Sequence, residues 1–108
     1  MSKISIIGGA GHIGLPLGIL LANKGYLINL YDKDKKNIEK INNLKMPFME
    51  EGAEVLLKKN KKKIHATNDK SCLKDSKIII VCIGTPVTKS KPDKKFFFKI
   101  FKEVKKYL

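Results

Sequence analysis

Arginine is absent from this 108-residue chain, so lysine alone supplies the cations behind a formal net charge of +13. That absence argues against a sequence-specific reader of nucleic acid. Recognition of guanine or phosphate draws on the planar guanidinium fork, and base stacking needs aromatics interleaved with basic residues. Neither pattern is present, and the abundance of Lys, Ile and Asn reads as compositional bias. Non-specific attraction to polyanions at low salt is all that the charge implies. Cysteine is scarce: Cys72 and Cys82 form no C-x-x-C pair and have no histidine at metal-ligand spacing, so both are expected as free cytosolic thiols and no metal is expected. His12 and His65 lie far apart, and His65 falls in a strand-like segment where a structural role is expected. Long apolar runs are also missing. None reaches the ~20 residues of a membrane span. Lys3 and the apolar residues after it imitate the start of a signal peptide, but Gly8, Gly9, Gly11 and Gly14 break the apolar core, and the expected location is cytoplasmic. The length allows one small domain with a single core and excludes a nucleotide fold joined to a separate substrate domain.

What is present is concentrated between Ile4 and Asp32. Ile4, Ile6 and Ile7 predict a short buried strand, and Gly8 to Gly14 reads G-G-A-G-H-I-G, a G-x-G-x-x-G match at Gly9, Gly11 and Gly14. Gly9 is expected to make the tight turn off the strand, Gly11 to let backbone approach a pyrophosphate, and Gly14 to let the next helix lie close to the sheet. Backbone N–H groups at that helix N-terminus, His12 and Ile13 foremost, would then receive the diphosphate. Glycine-rich turns also recur for purely structural reasons, so the surroundings carry the weight. Leu15, Ile19, Leu20 and Leu21 form a helical apolar face, Gly25 stops the helix, and Leu27 to Tyr31 make a second strand ending at Asp32. Asp32 stands 21 residues beyond Gly11, near the spacing at which an acidic residue reaches ribose hydroxyls. Pro16 fits this helix only if it lies in the first turn, where a missing N–H is tolerated.

Further along, Ile38, Ile41 and Leu44 mark a helix over Asp34 to Asn43, with Asp34 as its N-cap. A loop, Met46-Pro47-Phe48-Met49-Glu50-Glu51-Gly52, leads to a helix over Ala53 to Lys62 with Val55, Leu56 and Leu57 as its apolar side. The lysines crowded at its end match the unpaired carbonyls there. Ile64 to Thr67 is expected as a third strand and Asn68 to Asp75 as a loop or helical turn. Lys77 to Ile83 is a continuous β-branched run, as in a parallel strand covered on both faces. It ends in Gly84-Thr85-Pro86-Val87, which should line one crevice with the glycine turn. Pro92 and Asp93 introduce a helix from Lys94 with Phe97, Ile100, Phe101, Val104 and Leu108 on one face.

These residues resemble the N-terminal NAD-binding domain of the UDP-glucose/GDP-mannose dehydrogenase family. The likeness rests on Gly9-Ala10-Gly11-His12-Ile13-Gly14-Leu15-Pro16, on Pro47 to Gly52, and on Ile83-Gly84-Thr85-Pro86-Val87 followed by Pro92-Asp93, in the family's order and approximate spacing. Gly14-Leu15-Pro16 looks more like the branch acting on UDP-N-acetylhexosamines, such as UDP-N-acetylmannosamine dehydrogenases. The resemblance implies an α/β fold: a Rossmann-type doubly wound parallel sheet truncated to about four strands, order 3-2-1-4, with flanking helices across residues 1–108. It implies NAD as cofactor, with contacts from Gly9, Ala10, Gly11, His12, Ile13, Gly14, Asp32, Ile83, Gly84, Thr85, Pro86 and Val87. It implies no catalytic residue, because the family's oxidation of a sugar C6 alcohol to the carboxylate for polysaccharide biosynthesis uses a cysteine of a C-terminal domain. Cys82, within an apolar strand, and Cys72, without an activating base, are not expected to act as nucleophiles. Asn37 stands where a basic residue often follows the ribose-binding acid, with Lys35 and Lys36 adjacent. Two other readings remain open at the level of sequence, a free-standing non-catalytic dinucleotide-binding or regulatory module and a lysine-rich polyanion binder. A nucleotide sugar is the expected partner only of a full-length enzyme. Self-association through the Ile78 to Ile83 strand is expected, since it becomes a sheet edge if no fifth strand follows.

Overall fold

A computed structural model describes residues 3–83 and the backbone of residues 87–88 and 91–92. Four parallel strands form its centre: β1 (Lys3–Ile7), β2 (Leu27–Tyr31), β3 (Ile64–Thr67) and β4 (Ile78–Val81), in the order β3-β2-β1-β4. Helix α1 (Gly14–Asn23) joins β1 to β2, while α2 (Lys35–Asn42) and α3 (Ala53–Lys59) join β2 to β3. Two short pieces, β5 (Val87–Thr88) and β6 (Lys91–Pro92), pair antiparallel with each other. The Rossmann-type α/β fold and its strand order are as the sequence predicts. The helix expected from Lys94 lies outside the described residues.

Register explains the core. Ile4 pairs with Ile28 and Ile78, and Ile6 pairs with Leu30 and Ile80, so alternate positions of three strands share one face. Beneath α1 and α3 this face buries Ile4, Ile6, Ile28 and Leu30 together with Leu15, Ile19, Ala22, Leu57 and Ala66. Gly18 allows the close approach: a Cβ there would lie 2.6 Å from a Leu30 methyl and 3.2 Å from one of Ile6. Leu20, expected on the apolar side of α1, is instead 55% exposed. The helix turns only one stripe, Leu15, Gly18, Ile19 and Ala22, to the sheet. Pro16 falls in the first turn, where its absent N–H leaves no helical bond broken.

The opposite face is more polar. Ser5 and Asn29, paired across β1 and β2, are buried. The Ser5 and Ser76 hydroxyls share a hydrogen bond, and the Asn29 amide donates to Ser5 Oγ at 3.1 Å and to the Cys72 carbonyl at 3.0 Å. These bonds tie the 3₁₀ segment Lys70–Asp75 to the sheet, where Leu73 packs on Ile7 and Tyr31. A buried amide without such partners would be costly.

Of the remaining elements, α3 and β4 differ from expectation. Asp34 caps α2 as predicted, its carboxylate accepting the Asn37 N–H at 3.1 Å. But α3 ends at Lys59, before the expected Lys62, and Val55 is 70% exposed, so the helix buries only Ala53 and Leu57. Asn60 accounts for that end: its amide donates to the Leu56 carbonyl at 2.9 Å and to Asn23 Oδ1 at 3.1 Å, fastening α3 to the end of α1. The strand predicted over Lys77 to Ile83 is shorter, and Ile78 and Val81 are 50% and 46% exposed rather than covered on both faces. Among the described residues β4 pairs with β1 alone and forms an edge of the sheet.

Candidate functional site

All four strands run parallel, so the segments leaving their carboxyl ends gather at one end of the sheet, where doubly wound folds bind ligands. The segment after β1 is held from below: the N–H groups of Gly8 and Gly9 both donate to the Tyr31 carbonyl at 2.9 Å. The chain reverses at Gly8, whose φ of +80° belongs to the left-handed region, rather than at Gly9 as the motif spacing suggests. A Cβ on Gly8 would also strike the Cys82 carbonyl oxygen, at 2.3 Å. Gly14 is required for a related reason, since a Cβ there would lie 2.3 Å from the Gly8 carbonyl oxygen. The start of α1 rests directly on the turn.

Asp32 joins this turn from the end of β2. One carboxylate oxygen accepts the Ala10 N–H at 3.0 Å and the other accepts the Asp34 N–H at 3.0 Å, while the Asp32 N–H donates to the Thr67 carbonyl at 3.2 Å. Ile83 approaches from β4, its side chain 3.3 Å from where a Gly8 Cβ would stand. The structure therefore brings Gly9, Ala10, Gly11, His12, Ile13, Gly14, Asp32 and Ile83 to one end of the sheet. Gly84, Thr85 and Pro86 lie outside the described residues, and Val87 opens β5 with only its backbone described.

The turn suits an anion. Gly11 donates to Gly8 at 3.1 Å, and Leu15 and Leu17 close the first turn of α1 onto Gly11 and Ile13. Among the described residues the N–H groups of His12, Ile13 and Gly14 have no hydrogen-bond partner. They stand at the positive end of the helix dipole. Gly11 supports the same fit. A Cβ there would meet only the Gly8 carbonyl oxygen, at 3.3 Å, so packing demands glycine far less than at Gly8 or Gly14. A bare backbone at Gly11 would leave room for a diphosphate. Sequence reasoning assigned no role to Phe48, whose ring stacks on the His12 imidazole at 4.1 Å between centroids and 21° between planes.

Both thiols are shifted toward their protonated form. Burial, reinforced by the nearby Asp69 carboxylate, pushes the Cys72 thiol up to about 11, and burial also raises that of Cys82. Asp69 is held below its ordinary value chiefly by the Ser71 backbone N–H, which it accepts at 2.9 Å as the cap of the 3₁₀ segment. His65 is exposed on β3. Among the described residues no cluster of His, Cys, Asp or Glu suits a metal ion, and no helix is long and apolar enough to cross a membrane.

A parallel sheet ordered 3-2-1-4, a glycine turn opening a helix, and an acidic residue closing the second strand define a dinucleotide-binding domain. The particular family follows from comparison with known proteins. The model for the NAD-binding domain of the UDP-glucose/GDP-mannose dehydrogenase family matches residues 2–108, and the chain belongs to that family, with NAD as its cofactor. It is 33% identical over 93 residues to UDP-N-acetyl-D-mannosamine dehydrogenase of Pyrococcus horikoshii, covering 84% of this chain and 22% of that protein. Over 87 residues it is 31% identical to UDP-glucose 6-dehydrogenase of Rhizobium meliloti, covering 78% of this chain and 20% of the relative. The solved UDP-D-ManNAc dehydrogenase from P. horikoshii superposes with a TM-score of 0.90 at 30% identity, over 98% of this chain and 26% of that one. The chain thus spans between a fifth and about a quarter of these relatives.

Proposed function

We propose that this chain is the NAD-holding portion of a nucleotide-sugar 6-dehydrogenase, in which the C6 alcohol of a UDP-sugar is oxidised to the uronate for polysaccharide biosynthesis. The observation that carries the reading is the set of three N–H groups at the start of α1 that lack a partner among the described residues, with the Asp32 carboxylate anchored one hydrogen bond away at Ala10. In this arrangement the N–H groups of His12 to Gly14 bind the diphosphate, Gly11 gives it room, and Asp32 accepts hydrogen bonds from the adenosine ribose. Ile83 borders the crevice from the fourth strand. When bound, NAD supplies the hydride acceptor. The chain's own contribution is to hold and orient it.

For the substrate branch, the Gly14-Leu15-Pro16 run and the likeness to the P. horikoshii enzyme favour a UDP-N-acetylhexosamine over UDP-glucose. The deciding experiment for the cofactor site is titration of this chain with NADH followed by fluorescence, with ADP-ribose as competitor. Saturable binding displaced by ADP-ribose is expected, and no binding of either ligand would refute the assignment. For the branch, turnover by a protein in which this chain is joined to a substrate domain should favour UDP-N-acetylmannosamine, and preference for UDP-glucose would reverse the choice.

A further inference from the structure

The loop between α2 and α3 reaches the glycine turn at one described ring contact. Phe48 is half-buried and packs against the main core, whereas its neighbour Met49 is 96% exposed. His12, on which Phe48 stacks, is exposed and belongs to the stretch whose N–H groups lack partners among the described residues. Hydrogen bonds hold the turn on both sides of that stretch, at Gly8 to Gly11 and from Leu15 onward. At His12 itself the restraint among the described residues is the ring stack. A side chain fixed by a core-anchored aromatic fixes the backbone that carries it.

Resting on the cofactor reading above, we propose that Phe48 is a positioning residue for the dinucleotide: by holding the His12 ring it keeps the His12 and Ile13 N–H groups aimed at the diphosphate. The loop from Met46 to Gly52 thereby acts on the cofactor through the turn. The loop is tied at its base by the Leu44 and Lys45 N–H groups, which donate to the Ile41 and Lys40 carbonyls. The loss on removing the ring should fall on ligands that carry a diphosphate. Adenosine and its ribose, held at the Asp32 end, should be indifferent to it.

The test uses the whole chain with Phe48→Leu, which keeps apolar volume without a flat ring, and Phe48→Tyr, which keeps the ring. Met49→Ala serves as the control at an exposed neighbour. Phe48→Leu should bind NADH and ADP-ribose about three- to tenfold more weakly, the fold-change equivalent of one aromatic pair. Adenosine binding should stay unchanged, and nitrogen-15 relaxation should show increased motion of the His12 and Ile13 amides in the free protein. Phe48→Tyr should restore all three readouts. The proposal is overturned if Phe48→Leu binds ADP-ribose like the parent chain, or if it loses adenosine and ADP-ribose equally along with thermal stability. A parent chain that binds neither NADH nor ADP-ribose would overturn the cofactor reading and this proposal with it.

Discussion

The Asp32 carboxylate accepts the backbone N–H of Ala10 at 3.0 Å, so the acidic end of β2 and the middle of the glycine turn are one hydrogen-bonded unit. Asp32 therefore fixes the turn, and in the role proposed for it above it also offers lone pairs to a ribose.

The first expected outcome follows from that pairing. NADH should bind in preference to NADPH, because a carboxylate accepts bonds from ribose hydroxyls and repels a 2′-phosphate. Exposed Lys33, Lys35 and Lys36 nearby would reduce the margin without inverting it. Asp32→Ala should weaken NADH binding by about 1–3 kcal/mol, the range for hydrogen bonds to a charged group. Parallel titrations check both statements, and equal affinity for the two cofactors would remove Asp32 from its role.

Two alanine substitutions should separate folding from binding. Gly14→Ala places a Cβ 2.3 Å from the Gly8 carbonyl oxygen and 3.2 Å from the Gly9 Cα, backbone atoms that cannot swing aside. A loss of roughly 1–3 kcal/mol, as for other overpacked sites, should lower Tm by several degrees. Gly11→Ala crowds one oxygen at 3.3 Å and should change Tm little, yet it occupies the space proposed for the diphosphate. Calorimetry and NADH titration on both variants decide the matter. Gly11→Ala binding NADH normally would count against the site.

Much of this was legible in the sequence, for identifiable reasons. Strands and helices followed from local patterns that the core then reinforced: Ile4 and Ile6 on one face, Asp34 as a cap, Gly25 at the end of α1. What escaped depends on contacts between distant segments. That the chain reverses at Gly8 rather than Gly9 is decided by Tyr31 and Cys82, and the importance of Gly18 by Leu30. The Ser5–Asn29 network needs the register of β1 on β2, which no spacing within either strand discloses. Phe48 reads as an ordinary loop residue until His12 is seen against it.

The thiols give a chemical prediction. With Cys72 raised to about 11 from an ordinary 9.0, its thiolate fraction at pH 8 falls about 100-fold, and disulfide reagents should attack it correspondingly slowly in the native chain and at ordinary rates after denaturation. The sign for stability follows: the folded state holds this proton more tightly, so stability is intact below pH 9 and declines as pH rises through 11. A Cys82→Ser background isolates Cys72. We further expect the 108-residue chain by itself to oxidise no UDP-N-acetylmannosamine or UDP-glucose in the presence of NAD, because positioning, a nucleophile and an acid/base group must come together for that chemistry, and turnover with contaminating enzyme excluded would contradict it.

The last expectation concerns β4. Its outer edge pairs with no strand among the described residues, and Ile78 and Val81 are about half exposed along it. The run from Ile78 to Ile83 has no charge or proline of the kind that protects sheet edges. We propose that two copies of the chain pair through this edge. Opposing them is the +13 charge, whose repulsion is screened beyond a Debye length of roughly 8 Å at physiological salt. Low salt should therefore keep the chain monomeric, and added salt should promote association until the unpaired N–H and C=O groups of β4 find each other. Val81→Lys puts a charge on the exposed side of the edge without entering the core, and should hold the chain monomeric to higher salt. Light scattering across a salt series decides it. A parent chain monodisperse and monomeric throughout, or a Val81→Lys variant that associates just as readily, would remove β4 as the contact.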